Sequence, residues 1–437
     1  MKRPATNDAP SLVDPAEVSS DARSLVLGKV DGRAVVVSVI VVYLAVVAAT
    51  SASGMDPWRS LGVNAAPTLF YDARNVAAAA DCWAAGYDPL VENPCDPAGR
   101  VMNYPRVWVI LHFLGLTQDR TLIFGAIVVV LFLGSVLLLV GRLSIPEGVI
   151  VAVAVVSPAV MLAIERANMD LVVFVLLAGA VVAWRASDRA SPLLAPALVL
   201  LAAIAKLYAV FALPAFALTG RRRMLWVLAA AIVVMAVYLA LTFDDFRVVM
   251  RAPEGGLLYS FGARILIGDL YHRWVPGDWT YGSLLAQLIA GIPVVLVSAL
   301  AWSWARRRLP LLSSIERAVP AVLAFDLGAL TYLGSFVTRK SGDYRLVVLL
   351  LTIPLLLHWA GDRPSTRTVL ARATLVTVLV GLWVGALSPY IGPWDELASW
   401  AVAAAFVPML AIIVPPLPRP SWALARGRSA PAEPAAG

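Results

Sequence analysis

The chain has 437 residues, of which 60% are hydrophobic and only 14% charged, and it carries a formal net charge of +7. Apolar runs of about 18 residues or more recur along it, long enough to cross a bilayer as helices. That excludes a soluble globular protein, and runs this long exclude the short alternating strands of an outer-membrane barrel.

Residues 1–33 are polar, mix both charge signs with Pro, Asp and Ser, and lack the apolar core of a cleavable signal peptide, so they read as a disordered tail. Apolar runs then predict spans near 34–53, 121–140, 148–164, 168–184, 224–243, 281–304, 318–336, 344–360, 370–389 and 396–416. The segment 192–218 has basic residues at both ends, contains Pro192, Pro196 and Pro214, and holds Lys206 in its middle; it is two short spans or a re-entrant hairpin. The fold class is therefore all-α, a polytopic membrane protein of about 10–12 helices in one transmembrane domain over 34–416. Residues 417–437, rich in Ala and Pro, read as a second tail.

The positive charge follows topology. With the N-terminus in the cytoplasm, most of the 35 Lys and Arg fall in cytoplasmic segments, including Arg221–Arg223 and Arg306–Arg308. This is the positive-inside bias, and it places both termini in the cytoplasm of a bacterial-type cell membrane. Basic clusters that orient helices give no reason to expect a nucleic acid partner.

Three segments then fall outside: 54–120, 244–280 and 337–345. The first is unusually polar for a loop after one span. It reads Phe70-Tyr71-Asp72-Ala73-Arg74, an Ala-rich stretch of strong helix propensity, Gly86-Tyr87-Asp88-Pro89-Leu90, Asn93-Pro94-Cys95-Asp96-Pro97 and Asn103-Tyr104-Pro105-Arg106. Residues 106–116 are too few to span a bilayer and carry Trp108 and Phe113, which predicts that they lie in the interface plane. Cys82 and Cys95, thirteen apart on the oxidising side, are a disulfide or two unpaired small residues. His112, His272 and His358 form no ligand spacing, so no metal site and no cofactor is indicated. Tyr259, Phe261, Tyr271, Trp274 and Trp279 in 244–280 form an interfacial belt or stack on a ligand, and Gly255-Gly256 and Gly262 make that segment a candidate lid.

The external loop starting from Asp72 and reaching Asn103-Tyr104-Pro105, followed by Glu165-Arg166-Ala167-Asn168-Met169-Asp170, Lys206-Leu207-Tyr208 and Asp343-Tyr344-Arg345-Leu346, resembles the GT-C membrane glycosyltransferases. Within them it is most similar to the family 87 group that uses polyprenyl-phosphate sugars. The resemblance implies an inverting transferase that moves a mannose-type hexose or a pentose from a polyprenyl-phosphate carrier to a glycan or glycolipid acceptor at the external face. Some relatives use a divalent cation. Such chemistry needs a general base for the acceptor hydroxyl and cations for the departing phosphate.

Asp72 matches the family's external-loop aspartate and is the expected base; the competing role is an N-cap for the Ala-rich helix. Asp56 and Asp81 are the runner-up carboxylates, whereas Asp88 and Asp96, each followed by Pro, suit turns. Substrate contacts are expected from Arg74, Asn103, Tyr104, Arg166, Asn168, Lys206, Arg264, Lys340, Asp343 and Arg345. Arginine suits phosphate because its planar fork donates two parallel hydrogen bonds, although Arg339, Lys340 and Arg345 also suit plain snorkelling toward headgroups. Lys206 is either a ligand contact or half of an ion pair with Asp326 or Asp170, while Glu165, Arg166 and Asn168 line a site or cap helix ends. The same hydrophobic bundle with buried Lys206 and Asp170 also suits a transporter or lipid-carrier flippase, or a non-catalytic subunit of envelope assembly. Neither of those needs a carboxylate-rich external loop.

Overall fold

A computed structural model describes residues 31–52, 56–186, 193–251, 259–266, 284–338 and 340–415. The predicted tails at 1–30 and 417–437, Arg339, Gly255, Gly256, Tyr271, Trp274 and Trp279 lie outside the described residues. Apolar runs fold as helices because hydrocarbon offers no partner for a backbone N–H or C=O, so each segment satisfies its own. In chain order these are α1 (Gly32–Ala52), α2 (Tyr71–Ala84), α3 (Thr121–Val140), α4 (Ile145–Val155), α5 (Pro158–Arg166), α6 (Asp170–Arg185) and α7 (Leu194–Ala205). They continue as α8 (Arg222–Leu241), α9 (Phe243–Arg251), α10 (Leu284–Arg308), α11 (Pro320–Thr338), α12 (Ile353–Gly361), α13 (Thr366–Val384) and α14 (Glu396–Ile413).

Seven helical stretches among the described residues are long and apolar enough to cross a membrane, or eight if the bent pair α4–α5 counts as one span. The chain is a multi-pass helical membrane protein. Burial separates centre from periphery: the spans in α11, 343–361 and α14 are each 67% buried, whereas α1 and α8 are 17% buried. The exposed faces of the outer helices are rows of Val, Leu and Ile such as Val41, Val42, Ile123, Val130, Ile232 and Val233, surfaces that suit lipid.

The predicted 148–164 span is broken. Ser157-Pro158 ends α4 and starts α5 with a 57° bend, because Pro158 has no N–H to continue the ladder. The 192–218 ambiguity resolves into two short helical pieces. Helix α7 stops at Ala205, Lys206 adopts extended backbone (φ −149, ψ 112), and a 3-10 turn at Leu207–Ala212 leads to a short helix at Ala215–Leu218. A 12-residue helix is about 18 Å long, well short of a bilayer core of about 30 Å, so neither piece alone spans one. The break frees backbone carbonyls in an apolar setting. Trp108 Nε1 donates to Ala205 O at 2.9 Å and Tyr238 OH donates to Ile204 O at 3.4 Å, which satisfies them.

That Trp108 bond also pins the 56–120 loop onto the bundle. Its Ala-rich helix α2 packs Ala73, Val76, Ala77 and Ala79 with Leu90, Met102, Tyr104 and Trp108 into a second, smaller core that reaches Met169 and Ala205. Alanine allows this close approach. Cys82 and Cys95 are disulfide-bonded, with Cα atoms 5.5 Å apart, closing the loop beneath α2. The predicted interfacial stretch is a 3-10 helix at Arg106–Leu114 with Ile110, Phe113 and Leu114 exposed. Finally β1 (Ser260–Phe261) pairs antiparallel with β2 (Ser341–Gly342), tying the 259–266 segment to the start of the 343–352 3-10 helix.

Candidate active site

Asp72 is positioned by a strained turn. Phe70 has φ 60, a left-handed conformation that costs a bulky side chain on the order of 1–3 kcal/mol, and it immediately precedes α2. Its N–H donates to Glu165 O at 2.8 Å, Ala66 N donates to Glu165 Oε1 at 3.1 Å, and a Cβ at Gly125 would collide with its ring. Because Phe70 is the N-cap, Asp72 is the second residue of the helix and is not its cap. Its carboxylate goes elsewhere. Asn168 Nδ2 donates to Asp72 Oδ2 at 2.6 Å, and Arg100 Nη1 lies 3.8 Å from Oδ1. Arg100 is itself held by Asp96 at 2.9 Å and by Tyr71 O at 2.9 Å, with its guanidinium 3.6 Å above the Tyr71 ring.

The Glu-Arg-Ala-Asn-Met-Asp segment is the junction of α5 and α6. Ala167 turns left-handed (φ 41) to end α5, and Asn168 Oδ1 accepts from Asp170 N at 2.9 Å, tying the turn to the first residue of α6. The same oxygen accepts from Lys206 Nζ at 2.9 Å. Three partners thus fix the Asn168 amide with its nitrogen toward Asp72. Lys206 takes Asp170 as its counter-ion, at 2.7 Å, and not Asp326. Asp170 Oδ1 also accepts from Tyr208 OH at 2.7 Å, and Arg345 Nε lies 3.9 Å from Oδ2. The Tyr104 and Tyr344 rings flank Lys206 at 5.0 and 5.6 Å, and Arg345 stacks 4.1 Å above Tyr208. Burial and the nearby Asp72 hold the Tyr104 phenol well above its ordinary range, so it stays protonated.

These groups border a cavity of about 730 Å³. One part of its wall is cationic, with Arg166, Lys206, Lys340 and Arg345; another is apolar, with Leu207, Phe211, Leu239, Phe246 and Val249. Asn103, Tyr104 and Ser341 add polar groups. Arg345 Nη1 donates to Ser341 Oγ at 2.6 Å, and Arg166 Nη2 donates to Asn64 O at 3.3 Å. Asp72 and Asn168 stand directly behind this wall; the Asp72 side chain is 14% exposed.

The structure brings Asn103, Tyr104, Arg166, Lys206, Lys340 and Arg345 to the cavity and places four expected contacts elsewhere, Asn168 behind the wall and Asp343, Arg264 and Arg74 away from it. Asp343 turns inward to a separate small cavity with Asp395, Glu396, Ser260 and Ser399, because a 3-10 helix rotates successive side chains by about 120° and only Tyr344 and Arg345 then face the large cavity. Burial raises the Asp395 carboxyl above the usual range. Arg264 donates to Thr338 O at 3.0 Å. Arg74 is absent from the cavity wall, and its Nε has no hydrogen-bond partner among the described residues. The runner-up carboxylates are scaffolding: Asp56 caps the Pro57–Ser60 turn and Asp81 accepts from Gln118 N at 3.0 Å. Asp96 does likewise for Asn75, Ala98 and Arg100.

Sequence reading passed over Arg106 and Asp245. Arg106 forks onto Asp88, at 3.0 Å to each oxygen, and onto Asp245 at 2.9 and 2.8 Å, linking the loop between α1 and α3 to α9 at the cavity edge. This fork holds the Asp88 carboxyl below its usual range and raises the Arg106 guanidinium. Asp88 is therefore more than a turn former, although it also accepts from Leu90 N at 3.1 Å. Only the Asn-Tyr-Pro-Arg context of Arg106 hinted at this; nothing in the sequence relates it to Asp245, 139 positions away. Among the described residues, no group of three or more His, Cys, Asp or Glu side chains is arranged to hold a metal ion.

No family model and no curated protein matches the chain. Among solved structures it is similar to ArnT from Cupriavidus metallidurans in the apo state, at 14% identity and a TM-score of 0.32, over 86% of this chain and 76% of that one. The chemistry of the site rests on its own geometry: a cavity with a cationic and an apolar wall, one hydrogen-bonded residue away from a positioned carboxylate.

Proposed function

We propose that the protein is a membrane glycosyltransferase of the GT-C type, nearest in motif order to the family 87 group. It moves a hexose or pentose from a polyprenyl phosphate to a glycan or glycolipid acceptor at the external face. The observation that carries this reading is the Asp72–Asn168–Lys206 chain, which couples a held carboxylate to the cationic wall of a cavity whose volume suits a sugar phosphate with the first part of a lipid tail. In this reading the prenyl chain follows the apolar wall while Lys206 and Arg345, with Arg166 and Lys340, meet the phosphate. The acceptor oxygen attacks the anomeric carbon from the face opposite the phosphate. Its proton passes to Asp72, the carbon–oxygen bond to phosphate breaks, and the electron pair leaves with the phosphate, giving inversion. Asn168 engages one Asp72 oxygen, which leaves Oδ1 to accept the proton.

The test uses membranes carrying the protein, a labelled polyprenyl-phosphate sugar and an extract of acceptor glycans and glycolipids. Sugar transfer that Asp72→Asn abolishes at unchanged expression supports the reading. Transfer that persists in Asp72→Asn overturns the assignment of the base, and movement of the lipid across vesicles without transfer favours a flippase. Mass spectrometry of envelope glycans from a deletion strain then names sugar and acceptor together.

A further inference from the structure

Asp170 is fully buried at the start of α6, does not line the cavity, and has no place in the displacement step. Yet it is the carboxylate in contact with both Lys206 and Arg345, two of the four cations in the phosphate-binding wall. Its grip on them is unequal. Oδ1 accepts two short bonds, from Lys206 Nζ and Tyr208 OH, each at 2.7 Å. Oδ2 faces Arg345 Nε across 3.9 Å, beyond hydrogen-bond range, and neither atom has a hydrogen-bond partner among the described residues. Arg345 is thus held to Asp170 electrostatically and not by a hydrogen bond, while its Nη1 donates to Ser341 Oγ and its guanidinium lies 4.1 Å from the Tyr208 ring centre. Asp170 itself has no freedom to follow a ligand: Oδ1 is committed to two donors and its backbone N–H to Asn168 Oδ1. It is a fixed negative charge behind two cations.

We propose that Asp170 is a resident counter-ion that competes with the lipid phosphate for Lys206 and Arg345, holding the affinity for the departing polyprenyl phosphate low enough for release. The proposal rests on the lipid-phosphate reading above. A carboxylate that merely held the fold together would weaken binding when altered. A competing counter-ion does the opposite, because removing one negative charge a few ångströms from the phosphate leaves the cations fully available. Asp170→Asn is close to isosteric and keeps an acceptor for Lys206 and Tyr208 while losing the charge.

The experiment measures binding of a polyprenyl monophosphate to the full chain in nanodiscs, with inorganic phosphate alone as the second arm. Asp170→Asn is expected to bind the lipid phosphate about tenfold or more tighter than the wild-type protein, since an unscreened charge at this range shifts binding by that order. Single-turnover transfer stays near the wild-type rate while steady-state turnover falls, because release becomes limiting. Unchanged or weaker lipid-phosphate binding by Asp170→Asn, or tightening confined to inorganic phosphate, overturns the counter-ion role and leaves the transferase reading standing. Failure of both proteins to bind any polyprenyl phosphate overturns both. Where Asp170→Asn alone does not fold, the Asp170→Asn/Lys206→Gln double variant replaces the buried ion pair with a neutral one and is compared with Lys206→Gln. The double variant is expected to bind more tightly, since Arg345 still loses its counter-charge; equal binding overturns the proposal.

Discussion

Replacing Asn168 with leucine keeps the branched heavy-atom skeleton of a fully buried side chain, with somewhat bulkier ends, and deletes three hydrogen bonds at once. Two of them run to charged partners, Asp72 at 2.6 Å and Lys206 at 2.9 Å, and bonds of that kind contribute about 1.5–3 kcal/mol each. The third accepts from Asp170 N at the start of α6, a contribution of about 1 kcal/mol. Lys206 keeps Asp170 and Asp72 keeps Arg100, so part of the loss is recovered, and the net destabilisation is expected near 3 kcal/mol. Asp72 also loses the bond that orients it. A base displaced by about 1 Å costs on the order of a hundredfold in turnover, with donor KM little changed. Denaturant unfolding of purified protein reads the first quantity and steady-state transfer reads the second. Asn168→Asp is the companion variant: it keeps the Asp170 N and Lys206 bonds but sets a like charge against Asp72, so its turnover loss is expected to exceed its stability loss. A destabilisation below about 1 kcal/mol in Asn168→Leu, or a raised KM with kcat intact, refutes the reasoning.

Trp108→Phe removes the indole donor from Ala205 O and leaves a buried carbonyl unpaired at the Lys206 break; a loss of about 1–3 kcal/mol is expected in unfolding measurements, with greater protease sensitivity in 54–120. Cys82→Ser/Cys95→Ser opens a thirteen-residue loop and is expected to lower stability by about 3 kcal/mol, a loss that reductant reproduces in the native protein. The Arg106 fork gives a pH dependence whose sign follows from Asp88, whose carboxyl is held below its unfolded value. Its stabilisation is fully present above the unfolded value of about 4 and is lost as pH falls through the lower folded value. A double-mutant cycle between Arg106→Gln and Asp88→Asn is therefore expected to show coupling at pH 7 that fades below about pH 4; coupling that grows on acidification contradicts it.

The class of fold was legible because hydrocarbon imposes one rule on every span, and the apolar runs at 121–140, 318–336 and 396–416 coincide with α3, α11 and α14 within a few residues. What composition did not show is where a run breaks. The 148–164 stretch reads as continuous, yet Pro158 divides it, and the proline-rich 192–218 segment left its form open until Lys206 emerged as the break. Lys206 was legible as a candidate because ionisable groups within apolar runs are costly, Arg345 because it joins other cations at the end of a span, and Asp72 through the resemblance of its loop. Their connection was not, since Asn168 joins them from 96 positions beyond Asp72 and 38 before Lys206. Asp343 shows the reverse limit: adjacent in sequence to Tyr344 and Arg345, it is turned away from them by the 3-10 rotation. Arg106 and Asp245 belong to distant loops that meet only in space.

The central claim is that Asp72 takes the acceptor proton while the cationic wall holds the lipid phosphate. Purified wild-type and Asp72→Asn proteins in nanodiscs, given the same polyprenyl-phosphate sugar and acceptor, separate these two roles in one measurement. The account predicts that Asp72→Asn binds the donor within about twofold of wild type and transfers sugar on the order of a hundredfold to ten-thousandfold more slowly, the range for loss of a general base. Transfer by Asp72→Asn at the wild-type rate would contradict it.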